Sequence, residues 1–256
     1  VNLSGKRAII TAGAAGIGRI VAEHFTLVGA NVTVCDIDDG ALQSFSEAFP
    51  SAPAFRCDVS DADAVAKTFQ DMERALGGVD ILVNNAGTAG PTAGIEDISP
   101  EDWSRTLNIN LFSQFLFTKY AVPIMKAQGS GSIVNMSSAA GRLGMPMRTP
   151  YVAAKWATIG LTQSLAMELG KHNIRVNAIL PGSVQGDRMV RVMKARVEAT
   201  GMSRQDVEAE ETAAISLGRM IDPQEIANMI TFICSDMGAS ISGQSIGVCG
   251  NTEILR

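Results

Sequence analysis

Two residues of this 256-residue chain combine in a way that can move a proton. Tyr151 and Lys155 stand four apart in a segment of helical period, so their side chains share one helix face. An ammonium beside a phenol stabilises the phenolate and lowers the tyrosine pKa toward working pH. Such a tyrosine can take a proton from an alcohol as hydride leaves the same carbon, or return it in the reverse direction. Ser138, just after a strand-like run, is placed to hold a substrate oxygen as its charge changes, and Ser137 beside it competes for the role.

A second constellation lies near the start. Thr11-Ala12-Gly13-Ala14-Ala15-Gly16-Ile17-Gly18 joins a strand-like run to an amphipathic helical segment. Small residues there let the backbone approach a pyrophosphate, which sits against outward-pointing amides at a helix N-terminus. The next strand-like run ends in Asp36, at the spacing expected for a carboxylate that binds ribose hydroxyls and repels a 2′-phosphate. No Arg or Lys stands in the glycine loop or directly after Asp36, so the preferred cofactor is NAD rather than NADP. The competing reading has Asp36 capping the turn into Ile37-Asp38-Asp39.

The elements that must position these groups alternate along the chain. Candidate strands are Arg7 to Thr11, Asn31 to Asp36, Ala54 to Cys57, Val79 to Asn84, Gly131 to Met136, Arg175 to Leu180 and Gln244 to Val248. Their continuous apolar runs suit strands covered on both faces. Helical segments lie between them. Gly29 ends the first, and Ser60 starts the third with Asp63 as a near-capping box. Ser99-Pro100 and Asp222-Pro223 each place a cap before a proline, and Glu225 completes a box with Asp222. Strand-helix alternation at this spacing predicts an α/β fold, a doubly wound parallel sheet of about seven strands with helices on both faces. With no repeat or linker, residues 1–256 form one domain, and the polar helical stretch at 183–220 reads as a substrate lid.

Composition narrows the field. Net charge is −5 with both signs scattered, which argues against nucleic acid. The two histidines, His24 and His172, are too few and too far apart for a metal cluster, so no metal is expected. Cys35, Cys57, Cys234 and Cys249 form no Cys-x-x-Cys pair and read as reduced thiols, which suits the cytoplasm. No signal stretch opens the chain and no apolar run reaches membrane-spanning length, so no membrane partner is expected.

Taken together, the motifs resemble the short-chain dehydrogenase/reductase family, in its short, single-domain, Rossmann-type branch. The resemblance runs from Leu3 to about Gly250. Thr11 to Gly18 corresponds to the family's glycine loop, Asp58-Val59 to its adenine-side pair, and Asn84-Asn85-Ala86-Gly87 to its Asn-Asn-Ala-Gly motif. Asn110, Ser138, Tyr151 and Lys155 match the active-site tetrad in order and spacing, which selects Ser138 over Ser137 and Asn110 over Asn108. Pro181-Gly182 matches the turn near the nicotinamide. The resemblance implies a dehydrogenase or reductase acting on a small-molecule secondary alcohol or ketone, with Asn110 holding a water that links Lys155 to solvent. Cofactor contacts would come from Gly16, Ile17, Gly18, Asp36, Asp58, Val59, Asn85, Gly87, Tyr151, Lys155, Gly182 and Val184. A homo-oligomer is implied, a tetramer before a dimer. The alternatives are a catalytically idle NAD(H)-binding sensor or scaffold, and an NADPH-dependent ketoacyl-type reductase, against which Asp36 argues.

The chain departs from the family pattern in several places. Ala12 replaces the first loop glycine, which is tolerable if its φ is negative and Gly13 takes up the turn. Gly186 replaces the residue that holds the nicotinamide carboxamide, leaving the backbone of Val184 or the lid for that work. Cys249 and Asn251 alter the usual chain ending near the last strand. Arg142, Arg148, Arg188 and Arg191 lie in the segments that would face substrate and suit an anion, though surface or subunit contacts explain them better.

Overall fold

The computed structural model describes residues 1–255. β1 (Arg7–Thr11) leads into α1 (Gly16–Leu27), β2 (Asn31–Asp36) into α2 (Asp39–Ala48), and β3 (Ala54–Arg56) into α3 (Ala62–Leu76). β4 (Ile81–Asn84) is followed by α4 (Pro100–Leu107) and α5 (Ser113–Gln128), then β5 (Gly131–Met136), α6 (Thr149–Leu169) and β6 (Ile174–Pro181). α7 (Asp187–Thr200), α8 (Arg204–Ala213) and α9 (Pro223–Cys234) precede β7 (Ser245–Val248). The seven strands pair in parallel in the order β3-β2-β1-β4-β5-β6-β7. This is the doubly wound sheet that the alternation predicts, with its order reversing between β1 and β4.

Alternate residues of each strand feed two cores. Ile10, Val34 and Val83 face Val21, Phe25, Ile226 and Ile230 from α1 and α9. Ile9, Leu82 and Ile133 face Val65, Phe69, Phe117 and Met125 from α3 and α5. A fully buried side chain such as Phe25 or Phe117 contributes about 2–3 kcal/mol by leaving water. Both faces being covered explains why the strands read as continuous apolar runs.

Helix boundaries follow local chemistry. Gly29, at φ +92°, lies just past α1 and donates its amide to the Thr26 carbonyl. Ser99 caps α4, and Asp222 with Glu225 forms the capping box of α9. The expected start of α3 is corrected. Asp61, rather than Ser60, is the cap, accepting from the amides of Asp63 and Ala64. Ser60 is drawn away to Asp58, to which it donates both its amide and its hydroxyl. β4 likewise begins two residues later than expected, because the Val79 amide and carbonyl are held by Gln128 and not by a neighbouring strand.

The segment between β6 and β7 forms a helical hairpin. Arg196 of α7 pairs with Glu210 and, at 3.6 Å, with Glu211 of α8. Two glycines in the left-handed region bracket it, Gly186 at φ +131° and Gly218 at φ +64°. Its base is pinned to the chain end, where Ser216 and Leu217 donate amides to the carbonyls of Asn251 and Gly250, 3.1 Å each. Among the described residues, no helix is long and apolar enough to cross a membrane.

Candidate active site

The residues singled out in the sequence lie along one edge of the sheet. Thr11 closes β1, Asp36 closes β2, and Asp58 and Val59 follow β3. Asn85 and Gly87 follow β4, Ser138 follows β5, and Gly182 and Val184 lie just past β6. Ligands of open parallel sheets bind outside these carboxyl ends, at the point where strand order reverses.

The glycine loop is held to that cleft through its backbone. The Thr11 hydroxyl accepts from the amides of Asn85 and Ala86 at 2.9 Å, and the Asn85 side chain donates to the Thr11 and Ala12 carbonyls at 3.0 Å. A Cβ on Gly18 would stand 2.2 Å from the Ala12 carbonyl oxygen, so glycine alone fits there. Gly16, at φ +53°, has open space in front of it. α1 then begins at Gly16, with Ala15 at the cap position offering no side chain to its amides and no acidic residue in its first turn. By contrast, α2, α3, α4, α8 and α9 are capped by Asp38, Asp61, Ser99, Ser203 and Asp222. Bare amides at a helix start, behind an open glycine, fit a pyrophosphate.

Ala12 overturns one expectation. Its own φ is +48°, so it takes the left-handed turn itself instead of leaving it to Gly13. Gly13 has a different reason to be glycine: a Cβ there would lie 2.7 Å from the Val34 side chain. Asp36 is 8 % exposed and caps the turn into Ile37 and Asp38. One oxygen accepts from the Ala14 amide at 3.2 Å and the other from Ile37 at 2.8 Å and Asp38 at 3.3 Å. Three bonds leave acceptor capacity on the carboxylate, so the turn cap is compatible with holding ribose. The Ser60 hydroxyl and amide hold the Asp58 carboxyl below the usual range. Val59 is buried beside it.

At the other end of the cleft, α6 carries Tyr151 and Lys155 on one face. Lys155 is 3 % exposed and donates to the Met136 carbonyl at the end of β5, 2.8 Å away. Burial pushes its pKa down to about 8, opposed by Tyr151 and reinforced by the Arg188 cation. Burial pushes the Tyr151 phenol up, yet Arg188, Lys155, a hydrogen bond with Ser138 and the Arg148 charge together bring it below its ordinary value. Ser138 also accepts from the Ala140 amide at 3.1 Å. Ser137 is the structural serine: buried, it donates to the Lys155 carbonyl at 2.8 Å and ties α6 to β5.

Asn110 is fully buried, whereas Asn108 is exposed. It lies in a wide helical turn, Asn108–Phe112, inserted between α4 and α5. Its side chain donates to the Thr106 carbonyl one turn back at 2.9 Å and to the Thr88 carbonyl at 3.1 Å, while the Ser113 amide reaches back five residues to Asn108. The Asn110 side-chain oxygen is buried without a protein partner among the described residues. A Cβ on Gly87 would lie 2.9 Å from that oxygen and 3.6 Å from the Lys155 ammonium, so Gly87, Asn110 and Lys155 converge. Gly182 and Val184 are placed differently. Gly182 packs against Cys249 and Thr252, and Val184 bridges to Ile221, so neither meets the phenol through any contact seen in the structure.

Three details go beyond what the sequence signalled. Thr11 binds two backbone amides across the cleft, the wide turn at Asn110 has no motif, and Arg148 is 5 % exposed behind the phenol. Of the loop and hairpin arginines, Arg148 and Arg188 reach Tyr151, while Arg142 turns to the Ser245 carbonyl.

A family model described as Enoyl-(Acyl carrier protein) reductase matches residues 12–250, and the chain belongs to the short-chain dehydrogenase/reductase family of oxidoreductases. It is 37% identical to the 2,5-dichloro-2,5-cyclohexadiene-1,4-diol dehydrogenase of Sphingobium indicum, over 97% of either chain. It is 35% identical to the 3-oxoacyl-[acyl-carrier-protein] reductase of Thermotoga maritima, over 99% of this chain and 100% of that one. Among solved structures it resembles NAD+-bound xylitol dehydrogenase, with a TM-score of 0.93 at 28% identity, covering 98% of this chain and 100% of the other.

Proposed function

We propose that this protein is an NAD-dependent dehydrogenase that interconverts a secondary alcohol and a ketone, with Tyr151 as proton acceptor and donor. The observation that carries the reading is the geometry around Tyr151: the buried Lys155 ammonium, anchored on the Met136 carbonyl, lies 5.6 Å from its ring centre, and the surrounding cations lower the phenol. Bound NAD supplies a hydride acceptor, and its reduced form a donor. Tyr151 takes the alcohol proton as the carbonyl forms, and Ser138 hydrogen-bonds the same oxygen. Lys155 holds the phenolate, and Asn110 offers its unpartnered oxygen to a water leading to Lys155. Gly16, Ile17 and Gly18 would receive the pyrophosphate, Asp36 the adenosine ribose, and Asp58 and Val59 the adenine side. Asn85, Gly87, Gly182, Val184, Tyr151 and Lys155 would face the nicotinamide half.

The choice of NAD rests on Asp36 and on the state of nearby cations. Arg19 pairs with Glu23 at 2.9 Å and Arg56 with Asp39 at 3.3 Å, so neither is an uncompensated charge awaiting a 2′-phosphate. Residues 1–256 then work as one domain, with 183–220 as its lid and reduced cysteines in keeping with a cytoplasmic setting. Self-association, to a tetramer, is supported by Phe112, Phe115 and Trp156, which are 40, 45 and 51 % exposed on α5, its preceding turn and α6.

NADH formation, followed by absorbance with secondary alcohols, polyols and hydroxy acids, tests the reading, with NADP run in parallel. Turnover with NAD is the expected result. A preference for NADP overturns the role given to Asp36, and NADH binding without turnover of any alcohol favours an idle sensor.

A further inference from the structure

Three cations face one phenol. The guanidinium carbons of Arg148 and Arg188 lie 5.1 and 5.9 Å from the Tyr151 ring centre, and the Lys155 ammonium lies 5.6 Å from it. A buried charge normally keeps a counter-ion, and Arg148 is 5 % exposed. Neither Arg148 nor the exposed Arg188 has a carboxylate within ion-pair distance among the described residues. Arg148 donates only to the Ala89 carbonyl, at 3.2 and 2.7 Å, and Arg188 reaches the Gly87 carbonyl at a marginal 3.5 Å. Glu211 is the acidic group that acts on Arg148, and it is already committed to Arg196 at 3.6 Å and to the Ser183 hydroxyl. All three cations lower the phenol, yet a phenolate carries one negative charge and Lys155 alone would match it, so the guanidiniums bring positive charge that Tyr151 cannot neutralise.

We propose that the substrate is a hydroxy acid, whose carboxylate or sulfonate, a few bonds from the carbinol carbon, is received by Arg188. Arg148 stands behind the phenol and adds to the positive field. Arg188 is the receiver because its fork of donors is largely unused and it opens α7, at the threshold of the cleft. Arg188 and Lys155 both flank one phenol, so the anionic group and the reacting oxygen share a small volume. Compact 2- and 3-hydroxy acids meet that condition. In oxidation the hydroxyl proton passes to the Tyr151 oxygen, and hydride leaves the carbinol carbon with its electron pair for NAD. The carbonyl forms, and the acid group is unchanged. The inference rests on the dehydrogenase reading and adds the substrate class to it.

The test runs in the reducing direction on the NADH complex. Pyruvate, 3-oxobutanoate and 2-oxopropane-1-sulfonate are each compared with a neutral amide or ester, using the unmodified protein, Arg188→Leu and Arg188→Lys. At least one anion should have a kcat/KM about 30-fold above its neutral partner, the scale of a charge-assisted hydrogen-bond pair. Arg188→Leu should erase the preference, Arg188→Lys should keep part of it, and NADH affinity by fluorescence should change less than about twofold. Carboxylate and sulfonate arms separate the two sources of the anion. Neutral partners reduced as well as the anions would overturn the inference. So would an Arg188→Leu variant that loses NADH affinity and keeps its anion preference, since Arg188 would then serve the cofactor.

If none of these ketones is reduced, binding decides. Malonate and malonamide are titrated into the NADH complex. Malonate bound preferentially, and lost in Arg188→Leu, supports the anion site. Equal binding overturns it while the dehydrogenase reading stands. Failure to bind NADH or NADPH at all removes both.

Discussion

The two ends of the cleft are built by opposite means. At the β1–β2 end, contacts are made by backbone and by small residues: Gly16, Gly18, the bare amides of α1 and the Thr11–Asn85 bonds. At the β5–β6 end, long charged side chains do the work, with Lys155, Arg148 and Arg188 gathered on Tyr151. The first arrangement suits a ligand whose shape never changes, since backbone donors cannot be re-aimed. The second suits a ligand that varies and a bond that changes charge during reaction.

If the ends are separable in this way, damage at one should spare the other. Tyr151→Phe removes the phenol to which the proposed mechanism assigns the proton, so kcat should fall about 10³-fold while the NADH dissociation constant, read by fluorescence, stays within about twofold. Loss of NADH binding in that variant would break the comparison. Lys155→Met comes next. In the proposed mechanism the phenolate accepts the proton, so oxidation should rise with pH through the Tyr151 pKa, which lies below its ordinary value. Removing the ammonium raises that pKa, and the rising limb of the kcat/KM profile should move about one unit to higher pH, with about 10²-fold loss at neutral pH.

Asp36→Asn keeps the shape of the turn and removes its charge. The NADP-to-NAD ratio of kcat/KM should rise about tenfold, with the pH profile unmoved. A shifted profile would mean that the ends are electrostatically joined. The smallest effect is expected from Ala12→Gly. It relieves a left-handed alanine at φ +48° and should raise stability by about 1 kcal/mol, read as about 2–4 °C in Tm.

How legible each end was follows from the same contrast. The glycine loop, the strand ends and the caps at Ser99 and Asp222 depend on neighbours in sequence, so residue type and spacing revealed them. Tyr151, Lys155 and Asn110 were found because their order along the chain matches a known pattern. Other features depend on partners far away. Arg148 was one of four arginines offered for an anion, and nothing local marked it as the buried one, held on the Ala89 carbonyl 59 positions earlier. The wide turn at Asn110 is produced by side-chain bonds to Thr106 and Thr88, which no local pattern encodes. Ser60 was misread as a cap since nothing in its neighbourhood shows that Asp58 would claim it.

The bracketing of the α7–α8 hairpin by Gly186 and Gly218 sets a lever arm. α7 is a 14-residue helix, about 21 Å long, while Arg188 stands two residues, about 3 Å, from the Gly186 pivot. Rotation about that pivot sweeps the far end of α7 widely and barely displaces Arg188. If the hairpin serves as the proposed lid, its tip would rise to admit a molecule while the guanidinium beside Tyr151 kept its station, so the charge would be aimed before the cover came down.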